Sequence, residues 1–404
     1  MIFSYLVPVL LILLIYQFYK QKKSIRNKEY DYRYYEEGPY GERKKKTWMD
    51  KLKDWLPFCW LMLISSFTFM GCRPDPQPIS TQYPTGYFCV NEGIFGQTSG
   101  TISHYNPITK ESTAEIFNRT NDRPLGNVVQ SLTFYKALAL IIVNNSNKIE
   151  MADALDFQSV GQITNLQQPR YAVCSSSDIA YVSQWGDDGI TGRISKINIP
   201  SQLVLQTELV GKGPERIALG NQRLYIPLSG GYETENKVKI LDSETLVCID
   251  SIVLQDRPLS CELDINGHLW VLCSGNTVYS SYPNIDTSLS TGGAIYQIDT
   301  STNTILKQIN MDKGTSLRNL ILHLEQAKIY YLKNAAIFSY SLATNQETMI
   351  ANNGFYGLGF DPLTSRLLGA VNNGINPSNV LVIEGQTIVD SFGVGTFPNS
   401  IVIK

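Results

Sequence analysis

Few residues in this chain could carry covalent chemistry. Its 404 residues include three histidines, at 104, 268 and 323, and no two stand at a metal-ligand spacing. There is no nucleophile elbow, no phosphate-cradling glycine loop and no CxxC pair. Asp187-Asp188 is followed by no spaced run of oxygen ligands, so it reads as a polar loop rather than a calcium site. No catalytic residue, no metal and no resident cofactor are expected. What recurs instead is recognition chemistry. Arginines stand at 123, 170, 216, 257 and 318, each beside a short apolar stretch. Aromatic and amide side chains fall in the loops between: Phe95, Asn144-Asn145, Trp185, Tyr232, Tyr279, Tyr282 and Tyr356.

The elements that must position these groups repeat along the chain. Pro-led apolar strands begin at Pro124, Pro169, Pro214 and Pro258, with gaps of 45, 45 and 44 residues. Looser copies follow at Ser316-Leu317 and Phe355-Tyr356, and Phe397-Pro398 opens the last one. A fixed period in this range with strand-like units marks a β-propeller. One unit shows the pattern: Arg216-Ile217-Ala218-Leu219, Arg223-Leu224-Tyr225-Ile226-Pro227, Lys237-Val238-Lys239-Ile240-Leu241 and residues 246–253 read as four strands, with the turn Asp242-Ser243-Glu244-Thr245 after the third. The fold class expected is all-β, a seven-bladed β-propeller. Residues 86–90 read as a second strand without a first, and 399–403 as a first strand without a second. Pairing the C-terminal strand with the first blade closes the ring and removes two edges. Fourth-to-first and second-to-third loops of a propeller gather on one face. The ligand-binding residues expected there are Phe95, Asn145, Arg170, Trp185, Arg216, Tyr232, Tyr279, Tyr282 and Tyr356. The insert 274–292, which carries Tyr279 and Tyr282, breaks the period and reads as a lid or partner-contact loop.

Composition agrees with an all-β body: 43% hydrophobic, 17% charged, with 30 glycines and 23 tyrosines. A net charge of −2 offers no broad attraction to nucleic acid, and no basic stripe crosses the body. The N-terminal part reads differently. Residues 3–19 are mostly apolar, and a second apolar run from Trp55 follows Met49-Asp50-Lys51-Leu52-Lys53 and ends Gly71-Cys72. A basic start, an apolar core and a small residue at the end make a signal peptide. Cysteine after the small residue resembles a bacterial lipoprotein signal, with Phe69 where that pattern wants Leu. The expected organisation is therefore an upstream extension or membrane anchor over 1–48, a lipoprotein signal over 49–71, a Pro-rich tether over 72–85 lipidated on Cys72, and the propeller over 86–404. Of the remaining cysteines, 89, 174, 248, 261 and 273 all sit in apolar strand patterns and are expected to be buried thiols.

Several stretches go beyond a generic propeller. They are Asn91-Glu92-Gly93-Ile94-Phe95-Gly96, Arg123-Pro124-Leu125-Gly126-Asn127-Val128-Val129-Gln130-Ser131, Asn144-Asn145-Ser146-Asn147-Lys148-Ile149-Glu150 with Gln168-Pro169-Arg170-Tyr171, and Gly267-His268-Leu269-Trp270-Val271-Leu272-Cys273. Over residues 86–404 the chain resembles the YncE-like, DUF5074-type seven-bladed propeller lipoproteins of Bacteroidetes. The best understood of these are surface lipoproteins that bind cobalamin and hand it to a TonB-dependent outer-membrane receptor. The resemblance implies a corrinoid ligand, a TonB-dependent partner, a lipid-anchored outer-membrane location and surface exposure. The acidic cluster that directs such lipoproteins outward is reduced here to Asp75, with Arg73 before it. Aromatic faces, amides and guanidinium groups suit a ligand with an apolar macrocycle, amide arms and a phosphate. Two other readings stand beside this one: a protein-interaction scaffold of the cell envelope, and an extracytoplasmic propeller hydrolase or dehydrogenase.

Overall fold

The computed structural model describes residues 81–404. The segments read above as 1–48 and 49–71, and the lipidation site Cys72, lie outside the described residues. The fold is all-β and propeller-like. Five four-stranded antiparallel sheets succeed one another over residues 129–163, 169–209, 218–253, 258–310 and 317–351. An eight-stranded sheet combines two antiparallel quartets. One is Phe355–Asp361, Arg366–Val371, Ser378–Glu384 and Thr387–Val394. The other is Pro398–Ile403, Tyr87–Asn91, Thr101–Tyr105 and Ser112–Thr113. The C-terminal strand thus lies on Tyr87–Asn91, with Cys89 opposite Ile401. The sequence reading expected these quartets to be separate. They merge because Leu358 and Ser400, on neighbouring first strands, form a parallel bridge. A similar bridge links Arg216 with Ser260.

Local sequence explains the repeated unit. In five of the seven quartets the third strand ends on, or is directly followed by, Asn or Asp, whose side chain accepts amides of the following turn; the other two end on Ser341 and Glu384. Asn106 takes Ile108 and Thr109, Asn198 takes Ser201, Asp242 takes Glu244 and Thr245, and Asp299 takes Ser301. Alternate apolar residues then pack one sheet on the next. Leu140, Ile142 and Ile149 meet Ala180, Val182 and Ile197, for example.

A second regularity matters more for function. The first strand of each quartet carries one residue more than its partner near one end. The register jumps between Val129 and Ser131, Pro169 and Ala172, Pro258 and Ser260, Arg318 and Ile321, Phe355 and Gly357. The C-terminal strand skips Asn399 in the same way, and Pro214–Ala218 spans one residue more than the facing Tyr225–Leu228. Such bulges re-aim a side chain out of the ladder.

Four expectations need correction. Tyr83, placed in the tether, is buried among Phe88, Phe117 and Phe157, and its amide donates to Leu155 O at 2.6 Å. The folded body therefore begins before Gly86. The first quartet is short: its outer strand has only two residues, and a helix, Ile116–Asn121, covers that flank with Ile116 and Phe117. The strand expected from Pro124 starts at Val129, because Gly126 (φ 117°) turns the chain first. Cys89, Cys261 and Cys273 are buried, but Cys248 is exposed because it lies on an outer edge strand.

Candidate functional site

The bulged residues converge. Gln130, Arg170, Arg216, Leu259, Arg318, Tyr356 and Asn399, one from each first strand, line a single cavity of about 390 Å³. The second-to-third loops form its rim with Phe95, Asn145, Trp185 and Tyr232. The structure therefore brings together Phe95, Asn145, Arg170, Trp185, Arg216, Tyr232 and Tyr356 from the sequence reading.

Tyr279 and Tyr282 are not on this cavity. The insert folds on itself as a hairpin, Tyr279–Ser281 with Asn284–Ile285, and their rings contact each other at 5.5 Å. Tyr282 is 86% exposed. Arg123 also turns away, because it serves Glu150 at 2.6 Å and packs over Phe117 at 4.9 Å. Two of the three histidines have polar partners, while His323 packs its ring on Phe360 at 4.6 Å and leaves Nδ1 buried without one. His104 Nε2 meets Thr85 O at 2.9 Å, and His268 Nδ1 meets Asp264 at 3.2 Å. Asp188 accepts the amides of Ile190 and Thr191, which closes its loop. Among the described residues no group of three His, Cys, Asp or Glu is placed to hold a metal ion.

Inside the cavity, charge is arranged in two ways. Arg170 is fully engaged. Its guanidinium pairs with Glu215 at 3.3 Å, donates to Gln130 Oε1 at 2.5 Å and lies over the Trp185 ring at 4.2 Å. Glu215 is only 3% exposed. Burial pushes its carboxyl up, and the Arg170 charge pulls the other way. Glu92 accepts from the Tyr356 hydroxyl at 2.9 Å and from Asn399 Nδ2 at 3.0 Å. Burial, helped by the Glu92 charge, pushes the Tyr356 phenol up to about 12. It stays a hydroxyl donor at any physiological pH.

Arg216 and Arg318 differ. Arg216 lies over Tyr171 at 5.2 Å and Arg318 over Tyr356 at 4.7 Å. Among the described residues neither has a carboxylate within ion-pair distance. Two polar atoms of cavity residues are buried with no hydrogen-bond partner, Trp185 Nε1 and Ser260 Oγ.

The rim is aromatic and open. Phe95 is 68% exposed and Tyr232 is 67% exposed. Trp185 and Tyr232 meet edge to face at 5.7 Å. Glycines make that contact possible. A Cβ on Gly189 (φ 72°) would fall 2.1 Å from the Tyr232 ring, and one on Gly213 (φ 59°) 1.9 Å from Gly231 N.

Sequence reasoning missed Glu92, Gln130, Tyr171, Glu215, Ser260 and Asn399. A usable signal existed. Arg170 and Glu215 lie 45 residues apart, one period, so opposite charges at matching positions of adjacent units meet.

This is the architecture of a β-propeller whose first strands aim side chains, all but Leu259 polar, into a common channel. The chain belongs to the family described as Domain of unknown function (DUF5074), whose model matches residues 85–384. No curated protein matches it. Among solved structures it is similar to a quinonprotein alcohol dehydrogenase-like protein from Bacteroides thetaiotaomicron, at 16% identity and a TM-score of 0.59 over 80% of this chain and 79% of that one. It is also similar to hydrazine synthase of Kuenenia stuttgartiensis, at 15% identity and a TM-score of 0.54 over 69% of this chain and 92% of that one. Likeness at this identity concerns the fold alone.

Proposed function

We propose that the protein is a seven-bladed propeller that captures a ligand at its mouth. The eight-stranded sheet is counted as two blades, and the C-terminal strand closes the ring. The ligand is a corrinoid such as cobalamin, and its recipient is a TonB-dependent outer-membrane transporter. The protein sits on the outer membrane through lipid on Cys72, facing outward. The observation that supports this reading is the cavity itself, to which every first strand contributes a bulged side chain beneath a rim of Phe95, Trp185 and Tyr232. A volume of about 390 Å³ is that of a small-molecule pocket. A whole corrinoid is larger, so its macrocycle lies across the aromatic rim and an arm reaches inward. Binding rather than catalysis is favoured because the carboxylates of the mouth are committed, Glu215 to Arg170 and Glu92 to Tyr356 and Asn399. The exposed hairpin with Tyr279 and Tyr282 stands apart from the cavity and supports a second role as the contact to a protein partner.

Calorimetry of the full chain in detergent with cyanocobalamin tests the reading. Micromolar binding with a visible-band shift is expected, and Trp185→Ala or Tyr232→Ala should each weaken it about 10-fold or more. Absence of heat and of a spectral change at micromolar ligand would sink the corrinoid assignment.

A further inference from the structure

We infer that the channel holds an oxyanion, a phosphate or carboxylate group of the ligand, between Arg216 and Arg318 with Ser260 as a hydroxyl donor. The inference rests on the mouth being a ligand site and adds the chemical class of what enters it. The charges of the cavity lead to it. Three guanidinium groups and two carboxylates line the walls. Arg170 is matched by Glu215, and Glu92 is taken by Tyr356 and Asn399. Arg216 and Arg318 are left over. Glu262 senses the Arg216 charge and Glu215 senses that of Arg318, but neither carboxylate closes to a pair with it.

Both leftover guanidinium groups are backed by an aromatic ring, Tyr171 at 5.2 Å and Tyr356 at 4.7 Å. A ring against the face of a guanidinium leaves its N–H edge free to donate, the geometry that suits an oxyanion. Ser260 lies between them in the sheet order. Its backbone bridges that of Arg216, and its strand Pro258–Leu263 neighbours the strand Leu317–His323 that carries Arg318. The Ser260 hydroxyl is buried with no partner, a state that native proteins rarely leave unanswered. Arg318 and Tyr356 also wall a second cavity of about 370 Å³, lined further by Asn334 and Asn372. An anionic group on Arg318 can therefore belong to a ligand that extends into both spaces.

The test uses the full chain in detergent and two kinds of probe. The first is inorganic pyrophosphate. The second is a pair of corrinoids, cyanocobalamin with its phosphodiester and dicyanocobinamide without it. Arg216→Gln and Arg318→Gln are compared with wild type, and Arg366→Gln, on the second strand of its quartet and paired with Glu384, is the control. Circular dichroism confirms folding, and the lysine variants R216K and R318K should retain part of the binding. Each glutamine variant should weaken pyrophosphate, or cyanocobalamin, about 10- to 100-fold, with cobinamide indifferent to the change. Cyanocobalamin and cobinamide that bind alike to wild type and to both glutamine variants would overturn the oxyanion site and leave the corrinoid reading standing. Arginine-dependent pyrophosphate binding without any corrinoid binding would uphold the oxyanion site and remove the corrinoid. No arginine dependence for any probe would overturn the inference.

Discussion

Arg170→Met should unfold the protein more easily, and the size of the effect should depend on pH. Arg170 and Glu215 lie 3.3 Å apart, with side-chain exposures of 17% and 4%. At that separation the gross attraction is about 5 kcal/mol for an effective dielectric near 20. Removing one partner of such a buried pair typically costs about 3–5 kcal/mol, because the other charge is left uncompensated. The sign with pH follows from Glu215. Burial already raises its carboxyl above the ordinary value, with Arg170 opposing. A raised acid contributes stability in full below the unfolded value of about 4.3, and that contribution is lost as pH rises through the folded value. Without Arg170 the folded value climbs further, so the deficit of the variant should grow from about pH 5 to pH 8. Urea unfolding followed by far-ultraviolet circular dichroism at both pH values measures it. Arg170→Met with Glu215→Gln should recover most of the loss at pH 8. A deficit equal at pH 5 and pH 8, or a double variant no more stable than the single one, would refute the reasoning.

Three further outcomes follow from the same structure. Ile401→Ala removes a buried side chain that packs with Leu368 and Val380 across the terminal strand; it should cost about 2–5 kcal/mol in urea unfolding, while Ile108→Ala, at a residue 85% exposed, should stay within about 0.5. Burial lowers the pKa of His104, so its stabilising contribution is present above about pH 6.5 and lost as pH falls; wild type should lose stability from pH 6.5 to 5 faster than His104→Gln, by at most about 1.4 kcal/mol per pH unit. Iodoacetamide labelling mapped by mass spectrometry should modify Cys248 in the native state. Cys89, Cys261 and Cys273, buried and with thiols pushed up by that burial, should react only on unfolding.

The repeat was legible because the same local chemistry is stamped at each period. Asn or Asp at the end of the third strand closes a turn in five of the units, and apolar alternation marks the strands around it. Arg170, Arg216, Trp185 and Tyr232 could be placed at the mouth because propeller loops of one class share a face. Arg123 could not, since its partner Glu150 is defined only once the third and fourth strands of its sheet are paired. The bulges were hidden for a similar reason: an extra residue exists only relative to a facing strand. Gln130, Ser260 and Asn399 carry no charge or aromatic ring to advertise them, and they become site residues only because the ladder turns them into the channel. Tyr279 and Tyr282 show the opposite error, aromatic residues in a mouth-side insert that satisfy each other within their own hairpin.

The central claim is that the bulged first-strand residues and the aromatic rim form a ligand site. A crystal structure of the chain grown with cyanocobalamin tests it most directly. The account predicts the macrocycle against Phe95, Trp185 and Tyr232, with an arm descending between Arg216 and Arg318. A corrinoid seated elsewhere, on the Tyr279–Tyr282 hairpin or an outer strand, with the channel mouth unchanged, would contradict it.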